Sequence, residues 1–258
     1  MKAVLLAGGL GSRLSEETSV RPKPMVEIGG LPILWHIMKI YSAAGIRDFV
    51  VCAGYRGEVI SEWFESYRRR TSGAIRFDLG AGVTEYLHST GDDWTVTVVD
   101  TGQDSMTGGR LRLVREYLDG ETFCMTYGDG VASVDIRSLV EQHRSSGCEA
   151  TMTVVQPPGR FGAVNMAPDH QRIDGFMEKP DGDGGWINGG FFVLEPQVID
   201  RIPATDTVWE QAPLRSLAHD GQLGAFKHSG FWQPMDTLRD KMLLESLWAS
   251  GDVPWKCW

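Results

Sequence analysis

Four charged residues stand in settings that suit phosphate and metal chemistry: Arg13, Lys23, Asp129 and Asp236. Arg13 sits in the run LAGGLGSRL (Leu6 to Leu14), just after Gly8, Gly9 and Gly11. Glycines there let the backbone turn sharply and bring its N–H groups close to a ligand. The guanidinium of Arg13 adds a fork of donors that matches phosphate oxygens. Lys23 adds a second charge from the rigid frame Pro22-Lys23-Pro24. Asp129 is flanked by Gly128 and Gly130 after an apolar run, a good position for holding Mg²⁺. That ion takes few carboxylates and fills its octahedron with phosphate oxygens and water. The plainer reading of Asp129 is a turn aspartate that caps a helix. Asp236 closes Trp232-Gln233-Pro234-Met235-Asp236 ahead of a final helical segment, where N-capping and metal binding are both open.

A second loop, Asp100 to Gly109 (DTGQDSMTGG), is rich in Ser, Thr and Gly and leads to Arg110. Free N–H groups and hydroxyls at the start of a helix make an anion site; a plain capped turn is the alternative. Two other glycine-loop chemistries are excluded. The ATP-type loop G-x-x-x-x-G-K-[ST] needs a Gly-Lys-Ser/Thr that does not follow Gly11. The dinucleotide fingerprint needs a third glycine where Leu14 stands, and an acidic residue closing the second strand, which Glu27 does not do. A nicotinamide oxidoreductase is disfavoured on that ground.

The elements that must hold these residues alternate. Ala3 to Ala7 is a short apolar run that suits a buried strand. Pro32 opens a helix to about Ala44, stopped by Gly45, and Ile46 to Ala53 is the next strand. Glu58 to Arg70 is amphipathic, with Val59, Ile60, Trp63, Phe64 and Tyr67 on one side. Gly80 to Asp93 carries little pattern and suits a hairpin or an excursion. Trp94 to Val99 and Glu121 to Thr126 are strands, Arg110 to Tyr117 and Asp135 to Ser146 helices. Such alternation predicts a mainly parallel, helix-covered sheet that binds ligands at the carboxyl ends of its strands. Beyond Gly147 the pattern changes to short strands: Ala150 to Val155, Phe161 to Met166, Arg172 to Met177 and Trp186 to Leu194. The pair Gly189-Gly190 inside the last of them marks a close backbone approach.

Composition narrows the class. The 258 residues allow one large domain or two small ones, with 42% hydrophobic and 23% charged residues, ordinary for a soluble protein. Glycine, at 31 residues, is nearly twice its usual share of ~7%. A net charge of −9 argues against nucleic acid as a partner. The basic run Arg68-Arg69-Arg70 reads best as a solvated helix end. Cys52, Cys124, Cys148 and Cys257 form no C-x-x-C pair, so neither zinc nor redox chemistry is indicated. No signal-like region opens the chain and no apolar run reaches the ~18 residues of a membrane span, so a cytoplasmic protein with no membrane partner is expected. Most of the nine tryptophans lie in the C-terminal third, which suits either a packed core or a subunit interface.

LAGGLGSRL followed by Lys23-Pro24-Met25 resembles the signature of the sugar-phosphate nucleotidyltransferases. PKPMVEIGGLPILWHIMKIYSAAGI, PPGRFGAV, INGGFFVL and GFWQPMDTLRDK extend the likeness nearly end to end, toward the branch that moves a cytidylyl group. Ser12 stands where threonine is common and keeps the hydroxyl. Ser15 replaces a proline of the thymidylyl-transferring cousins.

The resemblance implies a single α/β domain with a mixed, largely parallel central sheet, a Rossmann-like N-terminal part and helices on both faces. Residues 1–147 would mainly bind nucleotide, and residues 148–258 would mainly bind the sugar phosphate and support oligomerisation. It implies transfer from CTP to glucose 1-phosphate, giving CDP-glucose and pyrophosphate with Mg²⁺, in lipopolysaccharide or deoxysugar synthesis. A homo-oligomer is implied, with a hexamer as the family's example. By the same resemblance Leu6, Ala7, Gly8, Gly9, Leu10, Gly11, Ser12 and Arg13 wrap the nucleotide. Lys23 reaches its phosphates, Ser105 and Arg110 hold the cytidine side, and Gly128 lies beneath. Asp129 and Asp236 share the metal, while Glu178, Lys179, Asn188 and Gly189 hold the sugar phosphate. Arg13, Lys23 and Lys179 are the catalytic cations, since an anionic sugar phosphate needs no Ser, Cys or His nucleophile. The alternatives are a uridylyl- or thymidylyltransferase on the same sugar phosphate, or a silent nucleotide-sugar sensor.

Overall fold

The computed structural model describes residues 1–156, 163–166, 173–177 and 185–258, with the two short middle pieces as backbone strands only and without the side chain of Ser15. The central sheet has seven strands. In chain order they are β1 (Ala3–Leu6), β2 (Asp48–Ala53), β3 (Thr95–Asp100), β4 (Phe123–Tyr127), β5 (Ala150–Val155), β6 (Ile187–Leu194) and β7 (Leu223–His228). Across the sheet their order is β7-β5-β6-β4-β1-β2-β3. The neighbours β4, β1, β2 and β3 are parallel, as are β5 and β7; β6 runs antiparallel to both β4 and β5. The sheet is therefore mixed but largely parallel, as the alternation of strands and helices predicts.

Among the described residues six α-helices are longer than one turn: α1 (Ile33–Ala43), α2 (Gly57–Arg70), α3 (Thr107–Leu113), α4 (Ile136–Ser146), α5 (Ala212–His219) and α6 (Leu238–Ser250). Side chains alternate across the strands. Ala3, Leu5, Phe49 and Val51 join a core with α1, α4, Ile60 of α2 and Leu244 of α6. Val4, Leu6, Val50 and Cys52 face the other way, toward Leu111 of α3 and Leu214 and Leu217 of α5. Both faces are thus covered, which is why β1 is buried throughout and reads as a continuous apolar run.

Strand order reverses at β1. The chain steps outward from β1 to β2 and β3, then returns to the other side of β1 as β4. A crevice opens at such a point, beyond the carboxyl ends of β1 and β4. The glycine loop follows β1 and Gly128-Asp129 follows β4, so both meet there. A two-stranded ribbon, Gly130–Ala132 against Trp232–Pro234, carries the chain before α6 to the same place.

Some boundaries differ from the sequence reading. The patternless stretch contains one strand of a projecting hairpin, Ser72–Asp78 with Val83–Ser89. Helix α3 begins at Thr107, not Arg110, because Met106 extends into its N-cap position and the glycines Gly108 and Gly109 are helical. The tryptophans are mostly core: Trp209 and Trp255 are fully buried, and Trp248 and Trp258 pack against the α1 side. The basic run ends α2, with Arg68 over Tyr86 and Arg70 over Trp63. All four cysteines are free, and burial pushes the thiols of Cys52 and Cys124 up to about 12. No helix among the described residues is long and apolar enough to cross a membrane.

Candidate active site

The glycine loop leaves β1 and closes over a cavity of about 320 Å³. Leu6, Ala7, Gly8, Gly9, Gly11, Ser12, Arg13, Lys23, Ser105 and Arg110 all line it. Of the nucleotide-side residues expected from the sequence, two do not. Leu10 points outward and is exposed. Gly128 lies under the floor, where its N–H donates to the Leu6 carbonyl at 2.9 Å and a Cβ would meet that oxygen and Pro24. Gly11 adopts φ +63°, and a side chain there would meet Thr18 and Lys23. Thr18 locks the loop by donating its hydroxyl to the carbonyls of Gly11 and Leu14.

Lys23 is the hub. Its side chain is nearly buried, and Nζ donates at 2.7 Å to both Asp129 and Asp236. Arg13 donates to the other oxygen of Asp236 at 3.0 Å. Burial alone would raise the carboxyl of Asp236, but the Lys23 and Arg13 cations outweigh it and hold the group below its ordinary range. The two aspartates meet because of the ribbon: Pro234 pairs with Gly130, and the Met235 N–H donates to the Asp129 carbonyl at 2.8 Å. Asp236 does not cap α6, which corrects the capping reading. Thr237 is the N-cap, in a capping box with Asp240, leaving the Asp236 carboxylate free to face Lys23. Two carboxylates converging beside the cavity, which Asp129 lines, are a donor set that suits Mg²⁺, whose remaining positions go to phosphate oxygens and water. Among the described residues no cluster of three or more His, Cys, Asp or Glu side chains forms a fuller metal cage.

Arg110, expected on the cytidine side, lines the cavity and also holds the loops together. Its guanidinium is buried and donates to the carbonyls of Ala53, Gly102, Gln103 and Gly8, and to the Thr101 hydroxyl. Burial pulls its pKa down from the usual arginine value. It ties the first glycine loop to the ends of β2 and β3. Space for it exists because Gly8 and Gly54 lack side chains: a Cβ would sit 2.1 and 2.5 Å from its Nη1. Ser105 forms part of the wall, its hydroxyl donating to the Thr101 carbonyl at 2.5 Å.

A smaller recess of about 50 Å³ adjoins the cavity, and Tyr127 and Asp129 line both. Asn188 and Gly189, read as sugar-phosphate ligands, lie in this recess. A Cβ on Gly189 would press on the Val155 side chain and the Thr153 carbonyl, and one on Gly190 (φ +86°) would strike the Tyr127 ring. The glycine pair is therefore a close approach of strands, as read. Asn188 turns back on itself, accepting the Gly190 N–H at 2.8 Å, and donates to the Tyr127 hydroxyl at 3.0 Å. Glu178 and Lys179 lie outside the described residues. Tyr127 and Gly54 carry no motif signal of their own, although each adjoins a strand end, β4 and β2, that the apolar pattern marks.

The nucleotidyl transferase family pattern matches residues 2–233. The chain belongs to that family. A glucose-1-phosphate cytidylyltransferase of Salmonella typhimurium is 58% identical over 259 residues, covering 100% of both chains. In fold, HddC from Yersinia pseudotuberculosis is similar at a TM-score of 0.70 and 22% identity, covering 96% of this chain and 99% of that one. A UDP-glucose pyrophosphorylase complexed with UDP-glucose is similar at 0.68 and 14% identity, covering 97% and 98%. The cavity under the glycine loop lies at the switch point of the sheet, where open α/β folds bind ligands.

Proposed function

We propose that this enzyme transfers the cytidylyl group of CTP to glucose 1-phosphate, releasing pyrophosphate and forming CDP-glucose. The observation that carries this reading is the 58% identity along the whole chain to a curated glucose-1-phosphate cytidylyltransferase. The geometry suits the chemistry. The glycine loop offers backbone N–H groups and Arg13 to a triphosphate, and Lys23 stands between the loop and the two aspartates. An oxygen of the sugar phosphate attacks the α-phosphorus of CTP, and the bond from that phosphorus to the bridging oxygen breaks. The electron pair leaves with pyrophosphate, so no side-chain nucleophile is consumed. The chain's task is to align the reactants and meet developing charge with fixed cations.

In this reading Asp129 and Asp236 hold Mg²⁺, which when bound neutralises phosphate charge around the reacting centre. Lys23 then serves the CTP phosphates. Lys179, with Glu178, serves the sugar phosphate on the strength of the family resemblance. Asn188 and Gly189 border the sugar side from β6. The first part of the chain, residues 1–147, supplies most of the nucleotide site, and residues 148–258 most of the sugar-phosphate site. Residues 205–210 and Asp236 come back to the nucleotide side, so the division is one of emphasis. An oligomer built on the C-terminal part belongs to the same proposal, and light scattering coupled to size exclusion reads it directly.

The deciding assay follows pyrophosphate release with Mg²⁺, glucose 1-phosphate and each of CTP, UTP and dTTP. The reading requires the specificity constant to be highest for CTP. Equal or better use of UTP or dTTP would overturn the base assignment, and no release with any of them would leave a nucleotide-sugar sensor as the better account.

A further inference from the structure

Glu210 has no place in any of the motifs, yet it joins the two halves of the site. It lies just before α5, in the segment 205–210 that seals the start of α3. The Met106 N–H donates to the Thr205 carbonyl at 2.9 Å, and the Gly109 N–H to the Thr207 carbonyl at 3.1 Å. Only glycine fits at 108 and 109, where a Cβ would fall 2.8 and 1.8 Å from those carbonyl oxygens. On this seam one oxygen of Glu210 accepts the Thr107 hydroxyl at 2.7 Å, and that hydroxyl in turn accepts the Trp209 N–H. The other oxygen accepts the Tyr127 hydroxyl at 2.5 Å, and Tyr127 accepts from Asn188. Thr107 lines the larger cavity, Asn188 the smaller recess, and Tyr127 both.

We infer that Glu210 is a positioning residue that braces both substrate sites at once, holding Thr107 on the nucleotide side and, through Tyr127, Asn188 on the sugar-phosphate side. The polarity of the chain makes a carboxylate necessary. Thr107 and Tyr127 both donate, so the residue between them must accept with both ends. Tyr127 accepts from Asn188, so its own proton is the one it gives to Glu210. A glutamine at 210 takes one hydroxyl proton with its oxygen; its amide would donate to a hydroxyl that already accepts, from Trp209 or Asn188, and leave that hydroxyl's own proton without a partner. The partition between the two sites would loosen without any loss of side-chain volume.

The naming of the two ligands rests on the function proposed above, so the test has one arm that needs no substrate. Amide hydrogen exchange is compared between wild type and E210Q, both without ligand. Faster exchange is expected in residues 105–109 and in 188–190 together, with the cores of β1 and β4 unchanged. Acceleration in one segment alone, or in neither, would overturn the inference. In the kinetic arm E210Q is expected to raise both the CTP dissociation constant and the KM for glucose 1-phosphate by about tenfold, the usual worth of a hydrogen bond to a charged group. Tyr127→Phe already cuts the link to Asn188, so adding E210Q to it should raise the glucose 1-phosphate KM no further. Multiplying effects in the double variant, or a lower melting temperature with both constants unchanged, would show a merely structural role. Wild-type turnover of CTP and glucose 1-phosphate, measured alongside, tests the functional reading separately from Glu210.

Discussion

Lys23 donates to two carboxylates that are 106 and 213 positions away, and this one contact sets the residue-scale chemistry. If the two lysines divide the substrates between them, their alanine variants must fail differently. Lys23→Ala should lose two to three powers of ten in CTP affinity or turnover, the cost of removing a charged phosphate partner, with glucose 1-phosphate less affected. Lys179→Ala should raise the KM for glucose 1-phosphate while calorimetry with Mg²⁺ finds CTP binding near normal. Equal loss of CTP affinity in both folded variants would show the boundary between the sites to be misplaced. The aspartates make a second test. Asp129→Asn and Asp236→Asn should each depress turnover strongly and shift the Mg²⁺ titration to higher concentration. A wild-type titration curve in both would rule out a shared metal site.

At the scale of elements, the glycine loop is set less by its own sequence than by the arginine beneath it. Arg110 comes from α3 and reaches the Gly8 carbonyl at 2.9 Å through the gap that two glycines leave. Adjacent glycines of the loop should therefore respond oppositely. A methyl on Gly8 meets the Arg110 guanidinium, whereas one on Gly9 meets nothing within 4 Å. Gly8→Ala should cost about 1–3 kcal/mol, the range for overpacking a buried site, and lower the melting temperature. Gly9→Ala should leave the melting temperature of the ligand-free protein within a degree or two of wild type. Equal melting temperatures for the two variants would mean that Arg110 can move aside and does not shape the loop.

For the whole molecule, the chain's end returns to its beginning. Trp248, Trp255 and Trp258 gather around His36 on α1, and Gly29 is bare because its Cβ would sit 2.0 Å from the Trp248 indole nitrogen. The His36 ring is fully buried, with Nε2 2.9 Å from the Ile28 carbonyl and the Trp255 N–H donating to Nδ1. That arrangement suits the neutral ring. Burial lowers its pKa to about 4, against the pull of backbone carbonyls at Ile28 and Leu31. The unfolded chain protonates this histidine near its ordinary ~6.5, so between there and about 4 it binds a proton that the folded chain does not. Stability should be complete above pH ~6.5 and fall as pH drops, by about 3 kcal/mol in all from this group. Denaturant unfolding at pH 7 and pH 4.5 measures the loss, and His36→Gln should flatten that part of the slope. Parallel pH dependences in variant and wild type would assign the acid sensitivity elsewhere.

Much of this was legible in the residues themselves. A buried strand, a glycine turn and a following cation are neighbours along the chain, and so are the conformations they impose. The loop from Leu6 to Arg13 and the turn at Gly128-Asp129 are therefore written in the sequence, and the alternation of strands and helices carries the sheet type. Convergence was another matter. Lys23, Asp129 and Asp236 meet because the ribbon Gly130–Ala132 pairs with Trp232–Pro234, and short strands of that kind leave almost no periodic signal. The capping role offered to Asp236 went to Thr237 for the same reason: the direction of its carboxylate depends on what lies across the ribbon. Arg110 carried a charge that suited a ligand, but the fold also surrounds its guanidinium with four carbonyls and a hydroxyl that only the packed loops bring together. Glu210 carried no local signal at all. Its two hydroxyl partners come from helix α3 and strand β4, and only the packing of residues 205–210 over the start of α3 brings them within hydrogen-bond reach. Local backbone geometry is written in local sequence, whereas the partner of a charged side chain is chosen by whichever distant segment the fold delivers to it.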